Sequence, residues 1–251
     1  EIVDNGIGAD ISGANTIVSK LGSVKAVNGI AAVRLNKDAS LTVKGSSATD
    51  VIKGEKDADA LLVHAGSVLT TSNAQIAVDG KGAGIHFLNM DQDGSGQFKL
   101  SGSGVITVKG NDATGILVEG EDGNKQPTMG TSDFISDNSS GLVINVEDVG
   151  GNGITVNTSG KVHSGASVNI QSKQGQSALV LKGDTTQITQ SGNLSSNSET
   201  SAVVELKDLT STQDINLTNL GSIKVSNAAA APAGLIAINA NIGKNISLTN
   251  G

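Results

Sequence analysis

A short apolar segment, usually just after a glycine or another small residue, returns nine times along the chain. It recurs at Ile7, Ile30, Leu61, Ile85, Ile116, Ile154, Leu179, Val204 and Leu235. The intervals are 23, 31, 24, 31, 38, 25, 25 and 31 residues. An irregular period of this size marks a solenoid, in which the strands must recur so that coils stack while the loops between them vary. Two other segment types fill the gaps. One alternates apolar and polar residues, as in Leu41-Thr42-Val43, Ile76-Ala77-Val78, Ile144-Asn145-Val146 and Val168-Asn169-Ile170, which places one face on a core. The other reads glycine-x-apolar, as in Gly66-Ser67-Val68, Gly192-Asn193-Leu194 and Gly221-Ser222-Ile223. Its glycine is expected to supply a corner with positive φ. Three strands per turn describe an all-β parallel β-helix of about nine coils, a rod about 40–45 Å long.

An antiparallel sandwich also uses many short strands, but it wants tight Asn-Gly hairpins between neighbours. Here Asn28-Gly29 and Asn152-Gly153 lead directly into Gly-Ile strands. The phase of two strands is ambiguous. Ala31-Val33-Leu35 competes with Ile30-Ala32, and a two-residue step from Val203 would bury Glu205, so Val204 and Leu206 are taken as inward.

Composition agrees with a narrow apolar tube. Among 251 residues there are 33 glycines, 2 prolines, no Trp and no Tyr, and the three Phe are Phe87, Phe98 and Phe134. Stacked Val, Ile, Leu and Ala fill such a tube without the large aromatics on which a globular core leans. The net charge of −7 with no basic stripe argues against nucleic acid, and against anionic membranes. Apolar runs such as 235–238 are too short to span a bilayer. The absence of Cys fits a cytosolic chain or one exported unfolded through an oxidising compartment. The chain starts and stops within its repeat, so it is expected to be one β-helical domain over 1–251 and a fragment of something longer.

Two segments interrupt the repeat. Residues 119–140 fall in the widest interval, carry Met129 and Phe134 among polar residues, and are expected to protrude as a binding loop. Asn89–Gly96 partly matches a calcium loop, but Leu100 stands where the bidentate acid belongs, so no metal site is expected. The three histidines, His64, His86 and His163, lie near no nucleophile elbow, and His64 and His86 are expected to face solvent. Acid pairs such as Asp57 with Asp59 or Glu147 with Asp148 would suit glycoside chemistry if held at the right separation, yet they fall mostly on turns. No residue set names a reaction or a cofactor.

Strands ending on Thr-Asn, at Thr218-Asn219 and Thr249-Asn250, are suited to Asn ladders between coils. Together with Asn219-Leu220-Gly221-Ser222-Ile223 and the Gly-Ile strands, they give the whole chain a pattern that resembles the passenger region of bacterial autotransporters (type V secretion). That resemblance implies a right-handed β-helix displayed on the Gram-negative outer membrane, or secreted. Family members act as adhesins, self-associating aggregation factors, proteases or toxins. The expected function is a non-enzymatic adhesin or self-association module serving cell aggregation, biofilm formation or virulence. A polysaccharide-cleaving enzyme and a passive stalk remain alternatives. The expected partner is a host surface or matrix protein or a second copy, with no nucleic acid and no membrane insertion of this segment. The candidate binding residues are Glu121, Asp122, Lys125, Met129 and Phe134 in the loop, and Asn216 and Asn219 on a ladder.

Overall fold

A computed structural model describes residues 2–3, 6–13, 16–18, 23–45, 50–89, 95–120, 131–136, 141–158, 161–183, 185, 187–209, 214–225, 235–238 and 245–250. The described residues form 25 strands and no helix. Each strand pairs in parallel with its counterpart one turn away, which makes a parallel β-helix.

One side of the helix is a nine-stranded sheet. It runs from Ile7–Ile11 through Ala31–Leu35, Asp59–His64, Ala83–Asn89, Thr114–Gly120, Asn152–Asn157, Leu179–Gly183 and Val204–Leu209 to Leu235–Ile238. Its register puts Ala9, Val33, Leu61, Ile85, Ile116, Ile154, Leu179, Val204 and Leu235 in one column. Two residues on, Ile11, Leu35, Val63, Phe87, Val118, Val156, Leu181, Leu206 and Ala237 make a second. From Leu35 to Leu206 this second column is at most 1% exposed. Each such side chain contributes roughly 1.5–3 kcal/mol of burial, and each coil depends on its neighbours for it.

The repeat positions from Leu61 onward are thus one structural column, whereas the first two repeats are displaced. Ile7 pairs with Ala31, and Ile30 is 45% exposed just outside its strand. Asn28, at φ 54, turns the chain there, so Ala31, Val33 and Leu35 take the buried places.

The other two sides belong to one sixteen-stranded sheet. Val68–Gly80 and Ser95–Lys109 run across the corner and join its two flanks. Among the described residues six turns supply three separate strands each. Two more turns use one of these long strands for two sides, and isolated strands remain at the ends. The number of regular turns is therefore somewhat below the expected nine.

The Gly-Ile signature has a packing cause. Gly84, Gly115 and Gly153 face the tube, and a Cβ on them would lie 2.5 Å from Ile106 Cγ2, 2.4 Å from Ile144 Cγ2 and 2.3 Å from Val168 Cγ1. Glycine lets the inward side chains of the facing flank press against the nine-stranded sheet. The glycine-x-apolar class is mixed. Gly66 does adopt a positive φ of 80. Gly192 and Gly221 are instead required by close approach of coils, since a Cβ would sit 2.0 Å from the Ala166 carbonyl oxygen and 2.3 Å from that of Gly192.

The protruding loop expected over 119–140 needs correction at both ends. Glu119 lies within strand Thr114–Gly120, opposite Leu88 and Asn157. Thr131–Ser136 is a strand of the sixteen-stranded sheet, with Phe134 opposite Phe98 and Val162. Its polar sequence hides this, because only Phe134 and Ile135 are apolar. Residues 121–130 and 137–140 lie outside the described residues.

Candidate functional site

Because side chains alternate along a strand, the residues between the two core columns point away from the tube. They form an outer column of Asp10, Arg34, Leu62, His86, Leu117, Thr155, Val180 and Glu205. Several of these are nonetheless covered: Leu62 is 6%, Thr155 5%, Val180 2% and Glu205 8% exposed. His86, Leu117, Thr155, Val180 and Glu205 line a groove of about 530 Å³ that extends from Asp57 and Asp59 to Glu205 and Lys207. The groove crosses six strands of the nine-stranded sheet.

At one end His86 sits between two carboxylates from the adjacent coils. Asp59 Oδ1 accepts the Ala83 backbone N–H at 2.7 Å, and its Oδ2 lies 2.8 Å from His86 Nδ1. On the other side His86 Nε2 lies 3.5 Å from Glu119 Oε2, an ion-pair distance without hydrogen-bond geometry. The His86 side chain is 15% exposed. Burial opposes its protonation, but the charge and hydrogen bond of Asp59, joined by Glu119, outweigh it and raise the pKa to about 10. The same contact holds the Glu119 carboxyl below its ordinary range, against the opposing effect of burial and with help from the charges of His86 and Lys182.

The expectation that His86 faces solvent is therefore overturned. Its odd step from the core column does turn it outward, but outward here means into the groove. The linear sequence conceals the cluster because Asp59, His86 and Glu119 are separated by unequal coils. Counted from the shared column, Asp59 precedes Leu61 by two, His86 follows Ile85 by one and Glu119 follows Ile116 by three, so they stand in three different columns and only side chains reaching obliquely between coils bring them together.

The groove changes character towards its other end. Glu205 accepts a 3.0 Å hydrogen bond from Ser177 Oγ, so an outward acid is sheltered by a neighbour on the previous coil. Val204 and Leu206 are buried as expected, and Glu205 is buried too, on the opposite face. Lys182 and Lys207 follow directly on the paired residues Leu181 and Leu206, and neither makes an ion pair among the described residues.

Of the sequence-predicted site residues, Glu121, Asp122, Lys125 and Met129 lie outside the described residues, and Phe134 belongs to a sheet strand. The two ladder asparagines are split. Asn216 is exposed and lines a second groove of about 510 Å³ with Lys161, His163, Gln187, Thr189 and Thr218. Asn219 is 1% exposed, and its Nδ2 donates to the Gly221 carbonyl at 2.5 Å. It stands in a buried polar column with Ser164 and Gln190, so it steadies a corner of the rod and presents nothing to a partner. The calcium-like stretch over 90–94 lies outside the described residues, among which no three His, Asp or Glu residues are grouped to hold a metal.

No protein-family model matches the chain, and no curated protein or solved structure does.

Proposed function

We propose that this chain is a non-enzymatic binding rod, an adhesin or self-association module of the autotransporter passenger type, displayed on a bacterial surface or secreted from it. The observation that carries the reading is the state of the groove's titratable cluster. His86 is held protonated, with a pKa of about 10, and Glu119 is held ionised. A general acid or base works best with a pKa near the operating pH. Groups fixed on either side of neutrality act as standing charges, which suits recognition. The second groove, with Asn216, Gln187 and Lys161 on successive strands, adds a polar face of the kind that a second copy would meet.

The alternative of a polysaccharide-cleaving enzyme draws on one observation, that Asp59, Glu119 and Glu205 all line one groove. One experiment separates the readings. Cells displaying this segment are scored for aggregation and for attachment to immobilised matrix, and the purified segment is assayed for release of reducing ends from a polysaccharide panel. Adhesion without release supports the rod. Release that disappears with Glu119→Gln would replace it with the enzyme.

A further inference from the structure

We propose that the half of the groove around Thr155 binds an acidic oligosaccharide, with anionic groups over Lys182 and Lys207 and sugar hydroxyls on Asn152 and Thr155. The proposal deepens the reading of the chain as a binding rod and rests on it. Its first support is the pair of lysines. They lie on consecutive coils, just past the last regular pair Leu181 and Leu206 and where the register shifts, in a partly covered groove where neither has an ion-pair partner among the described residues. Like charges on adjacent strands repel, and a bound anion relieves that repulsion. The spacing of one coil is close to the length of one sugar ring, so a chain of rings along the rod offers one substituent to each lysine.

The second support is the floor. Leu117, Thr155 and Val180 follow one another in a single column across three strands. Apolar side chains flanking a hydroxyl match a sugar ring, which has a C–H face and a rim of hydroxyls. The side chains of Asn152 and Thr155 make no hydrogen bond to the described residues, so their donors and acceptors are available. An extended peptide fits less well, because it seeks a free sheet edge, and this floor is made of strands paired on both sides.

The third support is polarity along the groove. Asp57 and Asp59 rim the far end and Asp112 the middle, where with Glu119 they outnumber Lys81 and His86, whereas on the lysine side Glu205 is the single acid; the excess of acids repels an anionic chain and favours its seat over the lysines. Removing the lysines and removing the aspartates must therefore act in opposite directions, a pattern that loss of structure would not produce.

The test is fluorescence anisotropy with labelled hexagalacturonate, its methyl ester and hexaglutamate. Hexagalacturonate is expected to bind at least tenfold more tightly than the ester or the peptide, and to weaken with salt. Lys182→Gln with Lys207→Gln should weaken it at least tenfold, and Asp57→Asn with Asp112→Asn should tighten it; weakening by the aspartate pair counts against the proposal. Unfolding midpoints check each variant. Should the double lysine variant fail to fold, Lys182→Gln alone and the aspartate pair carry the test. Equal binding of acid and ester, an unaffected lysine variant, or equal binding of hexaglutamate overturns the proposal. Cell adhesion is scored separately: its absence with oligosaccharide binding intact removes the adhesin reading and leaves the site.

Discussion

Raising the pH should unlock the Asp59–His86–Glu119 cluster and loosen the coils it joins. Folding raises the His86 pKa from 6.5 to about 10, with burial opposing and Asp59 then Glu119 outweighing it. The protonated form is thus the one that folding favours. Its contribution is complete below pH 6.5 and is lost as the pH climbs towards 10. At the acid end the sign reverses. Glu119 is lowered, so its share is present above its ordinary pKa of 4.5 and is lost as the pH falls below that. The rise to about 10 bounds the effect near 5 kcal/mol. The Glu119 contact is the same interaction seen from its partner, so nothing is added for it. A loss of that size rivals the stability of a small domain, but in a solenoid it falls on the coils that make the contact. The assay is urea denaturation from pH 5 to 10 at constant ionic strength, with the His86 ring followed by NMR. The unfolding free energy should decline above about pH 7 with a slope approaching 1.4 kcal/mol per pH unit. His86→Gln should be less stable at pH 7 and should remove most of that slope. A ring titrating near 6.5, or the same slope with and without His86, refutes the reasoning.

Three further outcomes follow from the coil geometry. Val118, Val156 and Leu181 are each 0% exposed, and truncating any of them to alanine should destabilise by roughly 1–4 kcal/mol, read as a lower urea midpoint; no effect at all three would reverse the inward phase. Gly115→Ala puts a Cβ 2.4 Å from Ile144 Cγ2 and 2.7 Å from the Gly153 carbonyl oxygen, so it should destabilise by about 1–3 kcal/mol by overpacking, read as a lower urea midpoint; an unchanged midpoint would mean that the coils give way at no cost. Deleting 119–140 removes Glu119 and the strand Thr131–Ser136 and should lower the melting temperature, whereas deleting 121–130 alone should leave it nearly unchanged; equal melting of the two deletions would mean that strand adds nothing to the rod.

The sequence carried the fold because a β-helix repeats its own constraint. Leu61, Ile85, Ile116, Ile154, Leu179, Val204 and Leu235 are readable as one series since each occupies the same place on a tube wall. The signal failed where local turn chemistry shifted the phase, as at Asn28 before Ala31. It failed again where a strand lacks apolar alternation, as at Thr131–Ser136. In both places pairing with neighbouring coils decides the outcome, and pairing is not visible in one segment taken alone.

The site was harder to read than the fold for a related reason. Alternation tells which side chains leave the core, and it assigned His86 and the neighbours of Leu206 to the outer face correctly. It does not tell what lies beside them, since that depends on the lengths of the intervening loops. Asp59 reaches His86 across one coil and Glu119 reaches it from the next, so three residues unremarkable in sequence become one charged unit. The same stacking brings Ser177 to Glu205 and sets Lys182 beside Lys207. In such a rod the core is written along each strand, while recognition is written across the strands, one residue from each coil. The functional residues are therefore to be sought in columns of the register, and the groove from Asp57 to Lys207 is where charged and polar columns coincide with partial cover from solvent.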